Sequence, residues 1–381
     1  MSAQARLLLI QILAPFLAIL FGALVASGII LAIGENPLDV YALMLRFSLT
    51  RADSVAAILF RTTPLVFAGL AVALSFRANL WNIGVEGQYY VGAFSAALVG
   101  FAVRGLPAVI HLPLTILAGM AGGLLWALPP VVLKVRRGAH EVITTIMMNY
   151  IAQAVVLFLL ADVFRDPTQL GTPRVRTPEF DPAARIPLLR PLLGFFGLGI
   201  PEHSALNWFL PLGVVLCAAA AYWLARTRFG FEVRAVALNP LAAEAAGIRI
   251  SRVQLLMFLA SGAVAGLVGL SDVLGFFGYF DIDFPKGLGF LGISVALLAK
   301  NNPVGIIPAA LLFGLLDRGA QGVQVFAGIP REVITILQAI IILAIVVAYE
   351  LLTRYVRQQR KREAERVVAV AVPAPAGGAA P

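Results

Sequence analysis

The chain has 381 residues, 60% of them hydrophobic and only 13% charged, with a formal net charge of +9. Soluble domains carry about 25% charged residues, and the mean hydropathy here is +0.91, so a string of soluble domains is excluded. The single cysteine, Cys217, excludes an intrachain disulfide. In a membrane protein the basic excess points to arginine-rich cytoplasmic loops, not to a nucleic-acid partner.

Ten apolar segments follow one another, over 7–33, 54–76, 83–103, 107–133, 141–163, 206–225, 253–273, 287–300, 303–317 and 332–351. A hydrocarbon core about 30 Å thick needs about 20 such residues of helix. The expected fold is therefore all-α: a polytopic membrane protein of about ten transmembrane helices. The first segment is too long for the apolar region of a signal peptide and reads as a retained span. The eighth and ninth are short and joined by Lys300-Asn301-Asn302-Pro303, which cannot continue a helix. Partial or re-entrant helices are expected there.

Placing both termini in the cytoplasm gathers Lys134, Arg136, Arg137, Arg226, Arg228 and Arg234 into inner loops, as the positive-inside rule requires. Residues 1–353 then form one transmembrane domain, with an extracytoplasmic loop over 164–205 and a cytoplasmic loop over 226–252. Residues 354–381 form a basic tail whose ending, VVAVAVPAPAGGAAP, predicts disorder.

Polar residues inside the apolar segments come next. FRANLWNIGVEGQYYV, residues 76–91, interleaves Asn79, Asn82, Glu86 and Gln88 with Gly84 and Gly87. A carboxylate at membrane depth is costly unless it faces water or a partner. The segment reads either as a break lining a translocation path or as a structural re-entrant turn. In EVITTIMMNYIA, Glu141, Thr145 and Asn149, with Gln153 following, are spaced by four and share one helix face. That stripe is either pathway lining or interhelical hydrogen bonding. Asp272, Asp281 and Asp283 sit among Phe276, Phe277, Tyr279 and Phe280, which suit an interfacial aromatic belt or a ligand-stacking surface.

Asn239-Pro240 is a helix-start signal, Leu241 to Ala246 a short alanine-rich helix, and Gly247 a natural stop. Such a cytoplasmic helix is either an inert connector or a docking element with small surface residues. A faint inverted repeat pairs Phe76-x-x-x-Leu80-x-x-Ile83-Gly84-Val85 with Phe284-x-x-x-Leu288-x-x-Leu291-Gly292-Ile293. None of the lysines follows a glycine, so there is no phosphate loop for ATP; no HExxH or Cys-rich cluster offers a metal site.

NIGVEGQ, EVITTIMMNYIA and the Asn239–Gly247 helix together resemble the permease family of the ribose and branched-chain amino acid ABC importers. The first two look most like its nucleoside-type branch. The resemblance covers most of residues 50–350. It implies the permease subunit of an importer in the bacterial plasma membrane, moving a nucleoside or related sugar-like solute. It also implies a cytoplasmic ATP-binding cassette ATPase, a second permease subunit and an extracytoplasmic substrate-binding lipoprotein. ATP would be used by the ATPase, with no cofactor on this chain. Candidate pathway residues are Asn82, Glu86, Gln88, Thr145, Asn149, Asp272 and Phe276. Asn239, Pro240, Ala242, Ala243, Glu244 and Gly247 would couple the ATPase to the bundle. The alternative is an ion- or proton-coupled secondary transporter with Glu86 and Asp272 as coupling carboxylates. A membrane-embedded enzyme is disfavoured, for want of a nucleophile or metal cluster.

Overall fold

The computed structural model describes residues 20–50, 52–191 and 204–328, with Leu17 and scattered residues of 336–359. Most of the segment 332–351 and of the tail, and parts of 7–33 and 164–205, lie outside the described residues. The structure is helical, with only two isolated β-bridges among the described residues. It divides into two compact units, Ala42–Gly322 and Met1–Tyr41 with Val323–Pro381.

In chain order the helices are α1 (Leu20–Ala32), α2 (Pro37–Leu49), α3 (Ala52–Phe76), α4 (Val85–Ala102), α5 (Ala108–Arg137) and α6 (Glu141–Phe158). Then come α7 (Phe209–Arg226), α8 (Arg228–Leu238), α9 (Pro240–Ala245), α10 (Ile250–Ala265), α11 (Leu288–Leu298) and α12 (Pro303–Phe326). A π-helical turn, Leu159–Val163, extends α6, and Leu270–Asp272 with a second π turn, Val273–Phe277, follows α10.

Six helical stretches are long and apolar enough to cross a membrane: α3, α5, Glu141–Val163, α7, Ile250–Phe277 and α12. Helices α1 and α2, bent by 116°, make a seventh if taken as one span. The expected ten is thus not reached among the described residues. The first turn of α4 carries Glu86 and Gln88, which lower its hydropathy, and α11 has only 11 residues. The ninth segment corrects the expectation in the other direction. It was expected to be short, but α12 runs for 24 residues, because Pro303 opens the helix and Pro308 falls within its second turn. Helix α2 was not anticipated; it begins as a capped helix, with Asn36 Oδ1 accepting from Leu38 N and Pro37 in the first position.

Within the 42–322 unit, three helices meet backbone to backbone. A Cβ on Gly92 would lie 2.5 Å from the Cα of Gly266, and one on Gly123 or Gly266 would overlap the carbonyls of Gly262 or Gly119. Without a hydrophobic force between helices in lipid, such close approach supplies the packing that holds α4, α5 and α10 together. Helix α11 lies on α3 in the same way, Gly292 against Ala68.

The loop after α6 straps across the top of this unit. Thr177 N donates to Phe280 O, Phe180 N to Gly278 O, Ile282 N to Val175 O and Ile186 N to Leu274 O. Phe280 and Phe284 fill the space below, against Tyr90 and Phe94. The aromatic cluster read from the sequence therefore splits. Phe280 is fully buried core, Phe276 is 55% exposed, and Tyr279 carries Arg176 over its face at 4.4 Å.

Candidate functional site

The helix start of α4 is buried and that of α11 half-buried, and each is capped by a side chain from elsewhere. Asn149 of α6 donates through Nδ2 to Ile83 O (3.0 Å) and accepts through Oδ1 from Gly87 N (2.8 Å), closing the first turn of α4. Glu86, thereby fixed, accepts at Oε1 from Gly287 N (2.6 Å) and at Oε2 from Gly289 N (2.9 Å). A carboxylate on the free N–H groups of a helix start is doubly favoured, by charge-assisted hydrogen bonds and by the helix dipole. Tyr89 Oη lies within hydrogen-bond distance of Glu86 Oε1 and Pro285 O. Gly289 has to be glycine here, because a Cβ would stand 2.5 Å from Glu86 N.

Asn82 and Gln88 form a reciprocal amide pair. Asn82 Nδ2 donates to Gln88 Oε1 (2.8 Å), and Gln88 Nε2 donates back to Asn82 Oδ1 (3.0 Å). Asn82 Nδ2 also reaches Ser261 Oγ on α10, whose hydroxyl donates to Ala71 O on α3. Thr145 returns its hydroxyl to Glu141 O and packs under Gly84, and Glu141 pairs with Lys134 at 2.8 Å. Asn82, Glu86, Gln88, Thr145 and Asn149 are all buried. Five of the seven pathway candidates thus form one network tying α3, α4, α6, α10 and α11, with every partner inside the chain. The sequence pattern found these residues; what it could not show is that Asn82 and Gln88 pair with each other while Glu86, Thr145 and Asn149 bond backbone groups of the same chain.

The faint repeat does not coincide with the helix starts. Its pairing sets Gly84, the residue before α4, against Gly292 inside α11, whereas Gly287 holds the equivalent place before α11.

The other two candidates lie apart from the network. Asp272 is buried, at the end of the helical run that leads into the second π turn, and Phe276 projects from that turn. Phe276 meets Phe60 of α3 at 5.9 Å between ring centres. Next to Phe60 stands Arg61, paired with Asp317 of α12 at 3.6 Å.

On the side of the 226–252 loop, Asn239 caps α9 as expected, its Oδ1 accepting from Ala242 N (3.1 Å). Gly247 takes a left-handed φ of +84° and ends the turn. One expectation is corrected. Ala243 is 3% exposed, facing this chain rather than outward, because the helix has only six residues and turns one face onto the bundle. The outward residues are Leu241 and Leu238, 77% and 87% exposed, with Ala242, Glu244 and Ala245 beside them.

Asn79, which is not among the pathway candidates, ties this loop to the segment that leads from α3 into α4. Held at φ +57°, it donates through Nδ2 to Val236 O of α8 (3.0 Å). Arg77 Nε donates to Asn301 O (2.7 Å) at the turn before α12. Burial, and then the nearby positive Arg234, lowers the Arg77 guanidinium from its usual value; it stays protonated. The available signal was the asparagine itself, a residue that tolerates the left-handed region, just after the end of an apolar run.

A helical bundle with several apolar spans and a hydrogen-bonded polar interior is that of a multi-pass membrane protein. Residues 54–346 match the family described as branched-chain amino acid transport system / permease component. The guanosine ABC transporter permease protein NupP of Bacillus subtilis is 37% identical over 93% of this chain and 97% of its own length. The nucleoside ABC transporter permease protein NupB of Lactococcus lactis is 33% identical over 89% and 92%, and the glucose ABC transporter permease protein TsgB13 of Haloferax volcanii 36% over 90% and 88%. The chain belongs to this permease family.

Proposed function

We propose that the chain is the membrane subunit of an ATP-driven importer for a nucleoside or related ribose-bearing solute. The observation that carries the reading is the full-length similarity to the guanosine and nucleoside permeases. The glucose permease keeps a second solute class in view, a hexose, and both classes are polyhydroxylated rings. A secondary transporter coupled through Glu86 is not favoured. Its relatives are ABC permeases, and both Glu86 oxygens are engaged by backbone N–H groups.

The partners follow from the class. A separate cytoplasmic ATPase hydrolyses ATP, a second permease completes the path, and an external lipoprotein delivers the solute. The chain resides in a bacterial inner membrane with both termini cytoplasmic. The loop 226–252 receives the ATPase through Leu238 and Leu241, large apolar side chains that water alone does not favour. Movement there reaches the buried network through Asn79 and the segment that leads into α4, and the network passes it from α4 to α11 through Glu86. The network itself positions helices; its polar groups are already satisfied.

The test is uptake. Co-expressed with its genomic neighbours, the chain should import labelled nucleoside only when the ATPase is intact. The chain purified alone in lipid should hydrolyse no ATP. Uptake without a functional ATPase would refute the reading.

A further inference from the structure

Arg61 is the tenth of 25 residues in α3, about 14 Å along the axis at 1.5 Å per residue. Asp317 is the fifteenth of 24 in α12. Both helices are long and apolar enough to cross a membrane, and both charges lie inside those helices, away from their ends. The side chains of the pair are nevertheless 50% and 47% exposed. Charges inside a span do not face lipid; they face protein or a water-filled cavity.

The neighbouring Arg318 is used differently. It donates to Ser54 Oγ and Gln321 Oε1 and lies over Phe47, holding α12 to its surroundings. Gln321 Nε2 donates to Asp317 Oδ2, which fixes that carboxylate while leaving half of its surface open.

Asp272 completes the group. It is 5% exposed, and its buried Oδ2 has no hydrogen-bond partner among the described residues. Arg61 acts on it electrostatically, and the Phe60–Phe276 contact brings the two stretches together. The π turn that follows Asp272 is a local widening of the helix, a feature frequent at functional sites, and it carries Phe276 outward. A buried carboxylate oxygen without a donor, within the electrostatic reach of a half-open arginine and one helical turn from an exposed ring, is a group short of one polar partner.

We infer that Arg61, Asp272, Asp317 and Phe276 form a station on the translocation path that holds an uncharged, polyhydroxylated ring. The carboxylate oxygens accept from vicinal hydroxyls, the guanidinium donates to hydroxyl or ring oxygens, and the Phe276 face covers the apolar side of the ring. No bond is made or broken. The inference rests on the permease reading above and assigns it a place.

The experiment uses the whole transporter, reconstituted in proteoliposomes with its ATPase and binding protein. Initial uptake of guanosine and of 2′-deoxyguanosine is measured for the wild type and for Asp272→Asn, Arg61→Gln and Phe276→Ala, each normalised to assembled complex. For Asp272→Asn, guanosine uptake should fall at least tenfold and 2′-deoxyguanosine uptake severalfold less, since the lost acceptor serves a hydroxyl. Equal falls for both solutes, or unchanged uptake, would overturn the station. So would a ready disulfide between Asp317→Cys copies on two adjacent permeases, which would place this face in a closed subunit interface. If the wild type moves hexoses and no nucleoside, the nucleoside reading fails separately. The station is then judged by the same contrast between glucose and 2-deoxyglucose.

Discussion

Glu86 and Asp272 are both buried carboxylates on helices, 2% and 5% exposed, in one apolar bundle. They differ in what surrounds them. Glu86 meets two backbone N–H groups and a tyrosine hydroxyl, and serves to start α11. Asp272 has an oxygen with no hydrogen-bond donor, and the charge that acts on it, Arg61, is half open in its pair with Asp317. Burial alone therefore does not separate a structural carboxylate from a binding one. The supply of fixed donors does: a completed network determines a helix arrangement, and an incomplete one leaves room for a ligand.

The comparison breaks first at the place where the completed network is tightest. Gly289→Val should have the largest effect, because its Cβ meets the backbone of Glu86 and neither chain can yield. Overpacking costs about 1–3 kcal/mol even where only side chains must shift. The expected outcome is loss of monodisperse permease on size-exclusion chromatography. A fully folded Gly289→Val protein would mean that α11 does not lie against Glu86.

Glu86→Gln comes next. An amide offers one acceptor where the carboxylate offered two, so one of Gly287 N and Gly289 N faces a donor. An unsatisfied buried donor costs about 1–3 kcal/mol, to be read as a lower melting temperature in detergent. Asp272→Asn should lower the melting temperature less than Glu86→Gln, because Oδ2 had no hydrogen bond to lose. Equal destabilisation of the two variants would erase the distinction between the regions.

The cytoplasmic loop sharpens the same contrast between inward and outward residues. Ala243→Trp should destabilise the permease itself, since Ala243 is buried against it. Leu241→Asp should spare the melting temperature and weaken co-purification of the ATPase. The reverse pattern would return Ala243 to the outer face.

The smallest effect concerns pH. Hydrogen bonds from Ala183 N and Gly105 N hold the Asp181 carboxyl below its ordinary value. A depressed folded value gives a contribution present above the unfolded value and lost as pH falls through the folded one. The strap around residues 181–184 should therefore loosen only in strong acid, measurable as faster amide exchange there at low pH than the intrinsic rate explains. Loosening that began near neutral pH would assign the effect to another group.

Much of this was legible before any coordinates. The length of the apolar runs, the Asn239-Pro240 start of α9, the Gly247 stop and the four-residue stripe of Glu141, Thr145 and Asn149 follow from local rules. Helix periodicity puts those polar residues on one face, and lipid excludes them from the outside. Three long-range matters were not legible. Glu86 caps a helix about 200 residues away, Arg61 meets Asp317 across two helices, and Ala243 turns inward. Each depends on which faces of separate helices touch.

Sequence by itself determined the class of protein, its apolar helical character and the polar residues that had to be inside, because hydrophobicity and helix period act locally. Only the tertiary structure decided which of those residues complete one another and which remain open. That depends on donors and acceptors brought together by glycine-mediated approach of α4, α5 and α10 and of α3 and α11, a geometry no run of adjacent residues specifies.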